Sequence, residues 1–254
     1  MRLFFISFMN IKQALKLNNK SFKQSKEFKL SAEVLLAFAI KKTREYIFAH
    51  SDNELTTKEY EFFDKLVKRL NNGEPVAYII NQKEFYGLSF YVDKRVLIPR
   101  PETELLVDKT LELLKIDERL SENKTINVCD IGTGSGNIAI ALATQNEKIC
   151  VTAVDVDKSA LEVTRLNVKN HKLQRRINIL ASDLLGNIKH KKFDVVVANL
   201  PYIGTETNNY ISKETKEYEP DIALYAGGDG LLLYRRFFSE ICNSGLGIRT
   251  RLST

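Results

Sequence analysis

The chain has 254 residues, 44% of them hydrophobic and 28% charged, with a net charge of +6. That length holds one large domain, or a small one beside a medium one, and that balance excludes a disordered or fibrous protein. Three cysteines, Cys129, Cys150 and Cys242, stand far apart without a C-x-x-C pair. They exclude a disulfide framework and a cysteine zinc site, and fit a reducing cytoplasm.

The opening MRLFFISFMN carries a short apolar run with no small-residue cleavage site, so no signal peptide is expected. No apolar stretch approaches the ~20 residues of a membrane span, and no membrane partner is expected. Residues 1–52 hold ten Lys/Arg against four Asp/Glu, so the whole excess of six lies there and the rest is neutral. Such a basic region either meets an acidic protein or RNA surface or forms a solvated helix face.

Residues 10–72 are expected to be helical, because Leu35, Leu36, Phe38 and Ala39, then Phe62, Phe63, Leu66, Val67 and Leu70, recur at helical spacing. Ser31 and Thr57 mark plausible starts, and Asn71-Asn72-Gly73 a stop. Residues 84–98, EFYGLSFYVDKRVLI, predict a β-hairpin around Gly87. The prolines of IPRPETE delay the next helix to about 102–115. From residue 126 onward strands alternate with helices: INVCDI, a helix over 136–145, ICVTAVD, a helix over 158–171, INILAS, FDVVVANL, and a helix over 230–243. This rhythm predicts parallel βαβ units in an α/β, doubly wound, Rossmann-like sheet, with ligands beyond the carboxyl ends of its strands. The expected divisions are a helical domain at 1–82, a hairpin and linker at 83–101, and the α/β domain at 102–254.

The first strand of that sheet ends in D-I-G-T-G-S-G, from Asp130 to Gly136. Its glycines permit a sharp turn, close approach of a ligand and tight packing of the next helix. GSGNIA also fits the dinucleotide pattern G-x-G-x-x-A. Asp130 discriminates: a carboxylate there repels a pyrophosphate and suits a ligand with an ammonium group, such as S-adenosyl-L-methionine. Asp155, 19 residues after Gly136, can accept both hydroxyl hydrogens of a ribose, or cap the helix behind it. Asp183 and Leu184 are placed to meet an adenine amino group and ring, unless Asp183 only caps a turn. Asn199 ends the fourth strand in VVVANLPYIG. Its side-chain oxygen and the Leu200 carbonyl can accept the two hydrogens of an incoming –NH₂, and Tyr202 offers a flat face to a planar amide or base. The same residue types also make an ordinary strand-ending turn.

As a set, D-I-G-T-G-S-G, Asp155 and N-L-P-Y-I resemble the S-adenosylmethionine-dependent N-methyltransferases. E-F-Y-G, L-I-P-R-P-E-T-E and Y-E-P-D-I-A-L-Y-A-G-G-D-G-L narrow the resemblance to the peptide-chain release factor glutamine N5-methyltransferases, the HemK family, over roughly Glu74 to Cys242. The resemblance implies that Gly132, Thr133, Gly134, Ser135, Gly136 and Asp155 bind the cofactor, with Asp130, Asp183, Leu184 and Asn199 around it. Asn199, Leu200, Pro201 and Tyr202 would hold the glutamine of a Gly-Gly-Gln loop, with Asn199 and Tyr202 in the catalytic role. The partner would be a class I peptide chain release factor, gripped by the helical domain. A cytoplasmic monomer with no metal and no direct nucleic-acid contact is expected. The segment IPRPETE would lie beneath the site or serve as a rigid linker.

Two features depart from the family pattern. Leu200 stands where the family has Pro, which keeps the backbone carbonyl but forgoes a fixed φ, so a looser and slower site is expected. The ending NSGLGIRTRLST has no strand pattern, so C-terminal strands of the sheet are expected to be missing and the Asn199 strand to be an unprotected edge. Alternative readings are a non-catalytic remnant of such an enzyme, or a nucleic-acid adenine N6-methyltransferase, whose basic recognition region is not evident after residue 52.

Overall fold

The computed structural model describes residues 9–20, 26–116, 125–206 and 211–243. Residues 1–8, within the opening apolar run, and 244–254, on which the expectation of missing strands rests, lie outside these. The chain divides into two compact units, Met1–Ile80 and Asn81–Thr254.

In the first unit, strand β1 (Met9–Asn10) leads into helices α1 (Ile11–Lys20), α2 (Lys26–Ala39) and α3 (Arg44–Ala49). Strand β2 (Glu54–Leu55) then precedes α4 (Thr57–Asn71) and the single turn α5 (Val76–Ile79). β1 and β2 pair antiparallel, a small element that the helical periodicity does not announce. Leu35 and Leu36 of α2 are fully buried, as is Phe63 of α4, and they share a core with Ile11, Ile47 and Val67. Helix α2 starts upstream of Ser31 because Phe28 already packs on that core. α4 begins at a capping box: Thr56 Oγ1 accepts from Glu59 N at 3.2 Å, and Glu59 Oε2 accepts from Thr56 N at 2.8 Å. It stops at Asn72, and Arg69 there donates through Nε to Glu74 Oε2 at 2.7 Å.

The second unit opens with a hairpin of β3 (Lys83–Phe85) and β4 (Leu88–Phe90), shorter than the sequence suggests. Its two turn residues, Tyr86 and Gly87, both have positive φ (53° and 70°), the geometry that matches strand twist. A tyrosine there is strained and needs holding. Tyr86 N donates to Glu104 Oε1 at 2.8 Å and Tyr86 Oη to Asp108 Oδ1 at 2.6 Å. The bond to Asp108 pushes the Tyr86 phenol up to about 12. Both acids belong to α6 (Glu104–Ile116), which follows a 3-10 turn at Pro101–Thr103.

Then come β5 (Ile126–Ile131), α7 (Asn137–Gln145), β6 (Ile149–Asp155), α8 (Lys158–Asn170), β7 (Ile177–Ala181) and β8 (Val195–Ala198). The four strands form a parallel sheet in the order β7-β6-β5-β8. Among the described residues β8 pairs on one side only, with β5. β5, central and buried on both faces, is a near-continuous apolar run. The chain leaves β5 for β6 on one side and returns to β8 on the other, so a crevice opens where the order reverses. Beyond β8, Ile203 forms a parallel bridge with Tyr225, and α9 (Lys213–Tyr218) intervenes unforeseen by the sequence reading. α10 (Leu232–Asn243) closes the described part, and no described helix is long and apolar enough to cross a membrane.

Candidate active site

A cavity of about 360 Å³ lies at the carboxyl ends of β5, β6, β7 and β8. Gly132, Thr133, Gly134 and Ser135 form its floor, Asp155 and Asp183 stand along it, and Asn199, Leu200 and Pro201 close one end. Most of the residues expected from the sequence therefore meet in one place. Asp130, Gly136 and Tyr202 do not line it.

Asp130 is fully buried behind the loop, where its Oδ2 accepts from Thr133 Oγ1 at 2.6 Å. No described donor meets its Oδ1 in hydrogen-bonding geometry. Burial pushes the Asp130 carboxyl up to about 7, opposed in part by the Thr133 hydroxyl and the Ala139 amide. From there it braces the loop through Thr133. Gly136 sits at the N-terminus of α7 with φ 81°, and a Cβ there would lie 2.9 Å from Thr164 Cγ2. It is the glycine that lets α7 pack against α8.

Asp155 keeps the expected position. Its Oδ2 accepts from Gly134 N at 2.9 Å and its Oδ1 from Asp157 N at 3.0 Å. Desolvation raises its pKa, against these backbone bonds. Capping of α8 falls instead to Asp157, which accepts from Ser159 N at 2.8 Å. Each Asp155 oxygen thus retains a lone pair for a further donor. Asp183 Oδ2 accepts from Arg236 Nη2 at 2.8 Å, a partner on α10 that no sequence pattern indicates. Leu184 beside it is buried and held at φ 47°, an unusual conformation for leucine that turns the chain into the wall.

Around β8, Asn199 Nδ2 donates to Thr103 Oγ1 at 3.3 Å, and among the described residues no donor meets its Oδ1. Leu200 is 3% exposed, its side chain in the core with Ile131, Val154 and Leu184, and its carbonyl accepts weakly from Tyr234 Oη at 3.4 Å. The looseness expected from a leucine here is countered by this seat. Tyr202 is 65% exposed. The segment after it is clamped: Ile203 N donates to Leu224 O at 3.0 Å and Ala226 N to Ile203 O at 2.9 Å. Gly230, with φ 81°, passes so close that a Cβ would lie 2.2 Å from the Tyr202 carbonyl oxygen. The late motif A-L-Y-A-G-G-D-G is thus the brace of N-L-P-Y-I.

Sequence reading missed Arg95, Arg100, Thr103 and Val156 as wall residues. Arg100 Nη2 donates to Glu219 Oε1 at 2.5 Å, and Ile98 N donates to Glu219 Oε2 at 3.0 Å, so the IPRPETE segment forms a wall and not a bare linker. The acid that holds it, Glu219, belongs to Y-E-P-D; the pairing of two proline-rich motifs was the available signal.

The donor set suits S-adenosyl-L-methionine. Asp155, Asp157 and Asp183 line the cavity, no described lysine does, and its arginines are committed to carboxylates: Arg95 to Asp93, Arg100 to Glu219 and Arg236 to Asp183. Among the described residues that line it, no uncommitted lysine or arginine waits for a pyrophosphate. Val156 and Leu184 supply apolar surface for a base.

Comparison with known proteins agrees. Residues 105–226 match the methyltransferase small domain and residues 13–80 the PrmC N-terminal domain. The release factor glutamine methyltransferase of Koribacter versatilis is 37% identical over 214 residues, 84% of this chain and 74% of that protein. That of Bacillus anthracis is 36% identical over 237 residues, 92% of this chain and 82% of the other. A crystal structure of the hMettl16 catalytic domain in complex with a 3'UTR hairpin superposes with TM-score 0.51 at 19% identity, covering 65% of this chain and 60% of that one, a likeness of fold. With curated relatives matched at this identity over most of both chains, the chain belongs to the release factor glutamine methyltransferase family.

Proposed function

We propose that this chain transfers a methyl group from S-adenosyl-L-methionine to the side-chain amide nitrogen of the glutamine in the Gly-Gly-Gln loop of a class I peptide chain release factor. One observation carries the reading: Asn199, with an acceptor oxygen that no described donor meets, and Asp155, with lone pairs to spare, flank the same glycine loop in one cavity.

The cofactor, when bound, supplies a methyl carbon made electrophilic by the sulfonium charge. The protein's residues do the rest. Asp155 accepts from the ribose hydroxyls, Val156 and Leu184 flank the adenine, and Asp183 accepts from its amino group. Asp130 braces the loop from behind. An amide nitrogen is a poor nucleophile, because its lone pair is delocalised into the carbonyl. Asn199 Oδ1 and the Leu200 carbonyl accept hydrogen bonds from its two N–H groups, which fixes the nitrogen and shifts charge toward it. As the nitrogen takes the methyl it gives up one of these protons to solvent, and the electron pair of the broken S–C bond departs with S-adenosylhomocysteine. Tyr202, at the exposed edge, offers its ring to the planar carboxamide. The helical unit, residues 1–80, grips the release factor. The enzyme acts as a cytoplasmic monomer without direct nucleic-acid contact.

Binding of S-adenosylhomocysteine by titration calorimetry tests the cofactor half of this reading. Asp155→Ala should weaken it roughly 10- to 100-fold, the value of about one hydrogen bond to a charged group. Undiminished affinity in that variant contradicts the assignment.

A further inference from the structure

Asn199 presents two different atoms on one flat group, and only Oδ1 can accept a hydrogen from an incoming amide. A carboxamide that swings freely on its side chain would meet that amide only part of the time, so it needs a partner that holds it in place. Among the described residues its side-chain partner is Thr103, whose Oγ1 accepts from Asn199 Nδ2 at 3.3 Å.

Thr103 is itself held firmly. Its N–H donates to Arg100 O at 3.1 Å within the 3-10 turn Pro101–Thr103. Upstream, Glu219 grips that segment at Ile98 N and at the Arg100 guanidinium. Immediately downstream, Glu104 holds the β-hairpin through Tyr86 N. Two carboxylates thus anchor the wall on either side of one hydroxyl, and that hydroxyl meets Asn199.

We propose that Thr103 is a positioning residue for methyl transfer: its hydroxyl, carried on the anchored wall, accepts from Asn199 Nδ2 and tethers the carboxamide beside the cavity. The inference rests on Asn199 being the acceptor for the substrate amide, as argued above. The pairing at 3.3 Å is long, as such bonds often are before substrate is bound.

Thr103→Val keeps the shape and removes the hydroxyl; Thr103→Ser keeps the hydroxyl. With a release factor as substrate, Thr103→Val should lower kcat roughly 10- to 100-fold, the scale expected when a reacting group is misplaced. KM for S-adenosyl-L-methionine should stay within about twofold, and Thr103→Ser should recover most of the rate. A merely structural role would depress stability and cofactor affinity along with rate. A second readout needs no turnover: in the full, ligand-free chain, hydrogen exchange of the Asn199 side-chain amide by NMR should be slower in the wild type and Thr103→Ser than in Thr103→Val. An active wild type with undiminished kcat in Thr103→Val, or Asn199 exchange equal in all three proteins, overturns the proposal. A wild type that binds cofactor but methylates no release factor overturns the functional reading instead, and the exchange measurement still decides on Thr103.

Discussion

Asp130 is a residue whose surroundings strongly change its chemistry. Its carboxyl is pushed up to about 7 by burial, whereas in the unfolded chain it ionises near about 4. Between those values the folded state binds more protons than the unfolded one. Its contribution to stability is therefore complete below about pH 4 and declines as pH rises toward 7. Asp130→Asn stays neutral and lacks this slope. The unfolding free energy of the wild type minus that of the variant should fall by an amount on the order of a few kcal/mol across this window, measured by denaturant melts. A difference that is flat or rises with pH contradicts the placement. Leu200 makes a second case. Because its side chain is already seated in the core, Leu200→Ala should cost ~2–5 kcal/mol and slow methyl transfer. Leu200→Pro should leave kcat within about twofold while lowering stability, since burial already supplies the stiffness that a proline ring gives through φ. A large rate gain in Leu200→Pro would restore the view that this site is loose.

At the scale of elements, the site is two motifs leaning on each other. The N-L-P-Y-I turn holds its shape because 224–228 runs beside it and Gly230 touches its backbone. Gly230→Ala adds a methyl where the Tyr202 carbonyl lies, at a φ that alanine avoids. It should destabilise the protein by at least ~1–3 kcal/mol and cut kcat more than cofactor affinity. Equal loss of both would mean that the whole cavity, and not this turn, had moved. Much of this was legible beforehand. The glycine loop, Asp155 and the Asn199 turn all follow from strand-ending positions in a doubly wound sheet, where the topology dictates what meets. Less legible were contacts between segments far apart in sequence. Nothing in the pattern of Asp130 says that its carboxylate turns inward to Thr133, or that Glu219 reaches Arg100. Pairings of that kind depend on loop paths, and no periodicity encodes a loop path. The helix start at Ser31 failed for a related reason: packing of Phe28 on the core outweighed a local capping signal.

At the scale of the molecule, a helical unit precedes an α/β unit that holds the whole cavity. The excess positive charge lies within the first 52 residues, ten Lys/Arg against four Asp/Glu, where the proposed reading sets the grip on a protein partner. Past residue 52 the acidic and basic side chains balance in number, so no such excess lies there. The central claim is that Asn199 directs a glutamine carboxamide to the methyl donor. The most direct measurement incubates the chain with labelled S-adenosyl-L-methionine and a mixture of class I release factor, DNA and tRNA, then maps the label by peptide mass spectrometry. The account predicts one methyl group on the glutamine of the Gly-Gly-Gln loop, lost in Asn199→Ala while cofactor binding persists. Label on a nucleic-acid base, or on that glutamine at an undiminished rate in Asn199→Ala, would contradict it.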